Sequence, residues 1–199
     1  MKVAYLAWAR EYFGRARYNL ASSGIATPHF ADAFGTPSLG DESALSELPR
    51  AIARFHDLPE DNVVPALGAS HALWLSFASI VTPGCHVLVE HPVYEPLIRI
   101  PESLGARVSF FHRKAPSWKV DVDHVLSCVT ESTRLVALSN LHNPTGNRTP
   151  NQTLRELAEA LATRNIALLV DEVYAPFDDL AVGGRWLHSA RREHANIIA

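Results

Sequence analysis

Several runs in this chain are apolar with almost no alternation, such as Val87-Leu88-Val89 and Ala167-Leu168-Leu169-Val170. A strand with one wet face alternates apolar and polar residues. A strand covered on both faces does not, and helix-covered parallel sheets produce that second pattern. These two runs sit inside β-rich stretches at 86–90 and 166–171, and similar stretches recur at 62–67, 107–111, 134–139 and 196–199. Their starts lie about 20 to 30 residues apart, which leaves room for a crossover helix each time. The clearest helix spans 151–164, with Leu154, Leu157, Ala158 and Leu161 on one face at the spacing of a helical stripe. Thr149 and Pro150 are expected as its N-cap and first-turn residue. Thr82-Pro83-Gly84 and Leu104-Gly105 supply turn and C-cap signals where the pattern changes. The expected fold class is α/β, a mainly parallel, doubly wound sheet.

Composition removes several classes of function. The chain has 199 residues, 47% of them hydrophobic and 20% charged, as in an ordinary globular domain. A net charge of −3 lacks the basic footprint of a nucleic-acid binder. No run approaches the roughly 20 apolar residues of a membrane span. Lys2, Arg10, Glu11, Arg15 and Arg17 interrupt any signal-peptide core. The two cysteines, Cys85 and Cys128, make no disulfide framework and favour a reducing, cytoplasmic setting. The ten histidines show no metal-ligand spacing, so no metal site is expected. Tyr5, Trp8, Tyr12 and Phe13 recur at helical spacing and read as packing rather than as a cofactor contact. Residues 19–43 are rich in Gly, Pro, Ser and Thr. The chain therefore divides into a helix and arm over 1–43 and an α/β domain over 44–199.

Ligands of such sheets sit outside the carboxyl ends of the strands, and four of those ends carry polar motifs. Gly68-Ala69-Ser70-His71-Ala72 opens a helix, and small residues there let backbone N–H groups approach an anion favoured by the helix dipole. The same residues fit an ordinary turn, or the Gly-x-Ser-x-Ala of a hydrolase elbow; the strands that should precede such an elbow are lacking. His91-Pro92-Val93-Tyr94-Glu95-Pro96 offers an aromatic to lie over a flat ring, or to pack on the next helix. Ser139-Asn140-Leu141-His142-Asn143-Pro144-Thr145-Gly146 forces a turn that directs the Asn143 amide into the crevice. Asp171-Glu172-Val173-Tyr174 ends the most apolar strand. A carboxylate there is costly to leave ionised without a cationic partner, which makes Asp171 a site candidate. No Gly-x-Gly-x-x-G or Walker loop supports a generic nucleotide-binding domain.

Together these motifs resemble the fold type I pyridoxal-phosphate enzymes of the class I/II aminotransferase family, over roughly residues 19–199. Asn143-Pro144-Thr145-Gly146 and Asp171-Glu172-Val173-Tyr174 are the most specific part of the likeness. The resemblance implies pyridoxal 5'-phosphate as cofactor, with amino acid and 2-oxo acid substrates and a homodimer. It implies that Asp171 pairs with the pyridine nitrogen and keeps the ring an electron sink. Asn143 and Tyr174 would bond the ring's phenolic oxygen, and Tyr94 would stack on the ring. Gly68, Ala69 and Ser70 would hold the phosphate, while Gly24 and Asn143 would meet the substrate. Asp171 and Tyr174 are the expected catalytic residues.

The same resemblance requires a Schiff-base lysine farther along the chain, and a strand after it beside the stretch 62–67. The only lysines are Lys2, Lys114 and Lys119, none in that position. The family's tyrosine near 34–50 is also missing, which leaves the partner-subunit phosphate contact without its residue. The expectation is therefore an aminotransferase present as a truncated N-terminal half, marginally folded and inactive alone. A non-catalytic cofactor-binding or interaction fragment and a pyridoxal-phosphate-dependent lyase of the same fold are the alternatives.

Overall fold

The computed structural model describes residues 3–12, 15, 17–18, 42–178 and 189–199. The helices are α1 (Ala4–Tyr12), α2 (Glu42–His56), α3 (Ala69–Ile80), α4 (Pro96–Ser103), α5 (Val122–Ser127) and α6 (Asn151–Ala162). The strands are β1 (His86–His91), β2 (Arg107–His112), β3 (Thr133–Ser139), β4 (Ala167–Asp171) and β5 (Ile197–Ile198). They form one five-stranded sheet in the order β2-β1-β3-β4-β5, parallel throughout. Among the described residues, no helix is long and apolar enough to cross a membrane.

Parity along each strand explains the unbroken apolar runs. Leu88, Val136, Leu138, Leu168 and Val170 enter one core with Leu154, Leu157 and Leu161 of α6. Val87, Val89, Leu135, Ala137 and Leu169 enter a second core with Leu73 and Phe77 of α3 and with Leu97 and Ile100 of α4. Each strand therefore buries successive side chains against helices on opposite faces, and the expected doubly wound architecture is the one observed.

Three local expectations are corrected. The stretch 62–67 is not a strand, because Glu60–Asn62 forms a 3-10 turn and the residues after it join no ladder. Val64 and Leu67 are 75% and 90% exposed there. Extended backbone becomes a strand only beside a hydrogen-bonding neighbour, and a cavity of about 860 Å³ separates Val63 and Val64 from Ile197 and Ile198. The polar motif at Gly68 thus follows an extended segment rather than a strand end. The last strand is Ile197–Ile198 alone. At the start of α6, Pro150 occupies the N-cap, while the Thr149 side chain is drawn away to Arg113 (3.2 Å).

The chain runs outward from β1 to β2, then crosses to β3 on the other side of β1. A crevice opens where the order reverses, outside the carboxyl ends of those strands. Tyr94 follows β1 and Asn143 follows β3, so both enter it by topology alone.

Candidate active site

A cavity of about 630 Å³ occupies this crevice, lined among others by Ala69, Ser70, Tyr94, Asn143, Asp171 and Tyr174. The structure thus brings six of the expected site residues to one space. Gly68 adjoins it as the N-cap of α3. Gly24 lies outside the described residues.

One part of the cavity lining suits an anion. Gly68 adopts φ +80° as N-cap, and the first turn of α3 carries no acidic residue. His71 and Ala72 N–H donate to the Gly68 carbonyl, whereas those of Ala69 and Ser70 precede the helical ladder, where such groups are orphaned. The Ser70 side chain bonds the Tyr94 hydroxyl, whose pKa burial pushes up.

Another part of the lining suits a cation. Asp171 closes β4 and is 9% exposed. Its Oδ1 accepts the Val173 N–H at 3.1 Å. Burial pushes its carboxyl up and that hydrogen bond holds it down; no described cation contributes. A positive group in the cavity would favour the ionised form, as linkage between charge partners requires.

Beneath the cavity the strand-end loops are tied by buried polar groups. Ser139 pairs in register with Asp171, and the Asn140 N–H donates to the Asp171 carbonyl at 2.8 Å. His142 spans two loops, with Nε2 2.8 Å from the Pro92 carbonyl and Nδ1 2.7 Å from Thr145 Oγ1. Burial and the charge of Arg113 lower His142 to about 4, so the ring is neutral, donating to Pro92 and accepting from Thr145. Glu172 faces away toward the second cavity and accepts the Ala190 N–H on both oxygens; burial pushes it up to about 7.

These two groups give opposite pH responses. Between pH 6.5 and 4 the unfolded chain protonates His142 and the fold does not, so acid costs stability, up to about 3 kcal/mol. Glu172 is protonated in the fold below pH 7 but in the unfolded chain only below 4.5, so its contribution grows as pH falls across that window. Urea titrations should find that His142→Gln removes part of the acid-side loss, whereas Glu172→Gln removes an acid-side gain.

Several lining residues were not singled out from sequence. Tyr5, Leu6 and Ala9 of α1 roof the cavity. Tyr5 meets Tyr94 edge-on at 6.1 Å, and Glu95 accepts the N–H groups of Tyr5 (2.8 Å) and Ala4 (3.3 Å). The aromatic repeat of α1 therefore includes a site contact besides packing. Ser139 also lines the cavity. It carried a usable signal, a polar residue closing a buried apolar strand as Asp171 does.

The family described as aminotransferase class I and II matches residues 26–182. The arginine–pyruvate transaminase AruH of Pseudomonas aeruginosa is 30% identical over 148 residues, covering 74% of this chain and 37% of that protein. A probable aspartate aminotransferase of Methanocaldococcus jannaschii is 28% identical over 118 residues, 59% of this chain and 31% of the relative. The chain thus spans well under half the length of these curated relatives. Among solved structures, a PLP-dependent aminotransferase from Streptococcus suis covers 96% of this chain with TM-score 0.77 at 23% identity; 55% of its own length is matched. The alanine aminotransferase from Pyrococcus furiosus covers 73% with TM-score 0.63 at 27% identity, over 39% of its length. With a family match across most of its residues and the fold to go with it, the chain belongs to the class I and II aminotransferases.

Proposed function

We propose that the chain is the cofactor-binding part of a pyridoxal-phosphate-dependent aminotransferase that passes an amino group from an amino acid to a 2-oxo acid. The observation that carries this reading is the polarity of one cavity. First-turn helix N–H groups at Ala69 and Ser70 and a buried carboxyl with no described cation beside it, Asp171, line the same space. A flat ring with a phosphate at one side and a basic nitrogen at the other fits both needs.

In this reading Ala69 and Ser70 hold the phosphate, with Gly68 setting the turn. Asp171 keeps the proton on the pyridine nitrogen. Asn143 and Tyr174 bond the phenolic oxygen, and Tyr94 lies against the ring. Once bound, the cofactor supplies an electron sink for the bond broken at the substrate Cα. The roof formed by Tyr5, Leu6 and Ala9 excludes water from that reaction. The lysine that bonds the cofactor in such enzymes has no counterpart among the described residues, since neither Lys114 nor Lys119 lines the cavity. It is supplied, in this reading, by sequence outside these residues, within a cytoplasmic homodimer.

The test is turnover by the protein expressed from its complete reading frame. Consumption of an amino acid that depends on added 2-oxo acid is expected. Ammonia or pyruvate released without an acceptor would make it a lyase of the same fold. Reversible cofactor binding with no turnover across an amino acid panel would make it a non-catalytic binder.

A further inference from the structure

Glu90 lies beneath the cavity, in β1, and does not line it. Its side chain and that of Arg113 are both fully buried, with Arg113 Nη2 2.7 Å from Glu90 Oε2. Glu90 Oε1 accepts two hydrogen bonds from one residue, from the Ser139 N–H at 2.6 Å and from the Ser139 hydroxyl at 2.6 Å. Ser139 Oγ in turn accepts the backbone N–H of Asn143 at 3.0 Å. Burying a carboxylate and a guanidinium is costly, and this pair sits where two ligand-bearing loops leave the sheet.

The proton count fixes the direction of every bond in the relay. A hydroxyl has one proton and two lone pairs. The Asn143 nitrogen is a donor, so Ser139 must receive from it and must spend its own proton elsewhere. A carboxylate oxygen, which only accepts, takes that proton. Burial pushes the Glu90 carboxyl up to about 7 while Arg113 pulls it back down, and Arg113 also reaches the carbonyls of Ser139 and Trp118 and the Thr149 hydroxyl. Asn140 then pins Thr149 through Nδ2 and Oδ1 (3.2 and 2.9 Å). The loop from Ser139 to Thr149 is thereby clamped at both ends, with Asn143 between the clamps.

We propose that Glu90 is a positioning residue for Asn143, acting through the Ser139 hydroxyl to fix the loop from which the Asn143 amide enters the cavity. The part of this inference that concerns the cofactor rests on the reading given under Proposed function. The clamp itself does not.

Two measurements separate the parts. In the cofactor-free chain, Ser139→Ala and Glu90→Met should each speed amide exchange at Asn143 by roughly tenfold, the loss of one hydrogen bond. The β3 amides of Leu135 to Leu138 should keep wild-type rates. Glu90→Met can loosen the whole sheet by leaving Arg113 unpaired, so Ser139→Ala, which keeps that pair, decides the point. Unchanged exchange at Asn143 in Ser139→Ala overturns the proposal, as does equal acceleration throughout β3.

The second measurement follows the visible absorbance of bound pyridoxal phosphate against pH. An amide donor at the phenolic oxygen favours its ionised form, so Asn143→Ala should raise the midpoint by about one unit. Ser139→Ala should raise it in the same direction, and the double variant should match Asn143→Ala alone. Additive shifts would overturn the relay from Glu90 to Asn143. If the folded wild-type chain binds no pyridoxal phosphate, the proposed function fails and amide exchange alone decides the clamp.

Discussion

Replacing Asp171 with alanine is expected to cut turnover of the complete enzyme by roughly a thousandfold, the scale set by losing one preorganised charge at a developing centre. Phosphate anchoring should survive, because Ala69 and Ser70 belong to α3 and Asp171 to β4. Asp171 is suited to the role by its surroundings. It closes a strand in which Leu168, Leu169 and Val170 are buried, and burial pushes its carboxyl up. A protonated ring nitrogen against it would reverse that shift and be held in turn. Steady-state kinetics and cofactor titration of Asp171→Ala check the two halves separately. Near-normal turnover would remove Asp171 from the role, and loss of cofactor binding with unchanged turnover per bound cofactor would make it an anchor only.

The second large effect falls on stability. Arg113→Met leaves the fully buried Glu90 carboxylate without its cation, and breaking a buried pair from one side costs about 3–5 kcal/mol. A typical domain has only about 5–15 kcal/mol in total, so this variant should lose much of its folded population. The double variant Glu90→Gln/Arg113→Met should recover more than half of the loss. It leaves no bare charge, and the amide oxygen it places in β1 still accepts from the Ser139 donors. Urea unfolding of the two variants beside wild type measures this. A single-variant cost below about 1 kcal/mol would mean that water reaches the pair.

What could be read from sequence follows a physical pattern. Unbroken apolar runs announced β1, β3 and β4, because burial on both faces leaves nothing to alternate. Asp171 and Asn143 were legible for the same reason, as polar residues placed where such strands end. The stretch 62–67 has strand-like composition, yet a ladder is a relation between segments, and periodicity within one segment carries no record of its neighbour. Glu90 was hidden by its position. It ends the run Val87-Leu88-Val89 and reads as the strand leaving the core, whereas Arg113 and the Ser139 hydrogen bonds keep it inside. The roof was equally hidden, since the contact between Tyr5 and Glu95 joins residues 90 positions apart. Pro150 rather than Thr149 occupies the N-cap, with Arg113, a distant residue, holding the threonine hydroxyl.

The central claim is that one cavity holds a phosphate at Ala69 and Ser70 and a ring nitrogen at Asp171. It is tested most directly by titrating the 199-residue chain with pyridoxal phosphate and following the induced visible circular dichroism. Pyridoxal without its phosphate and the variant Ser70→Glu serve as the comparisons. The account predicts a saturable signal for the phosphate form, far weaker binding of pyridoxal, and loss of binding in Ser70→Glu, where a negative charge meets the anion-binding part of the lining. A chain that is folded by far-ultraviolet circular dichroism yet binds both forms equally, or neither, would contradict it.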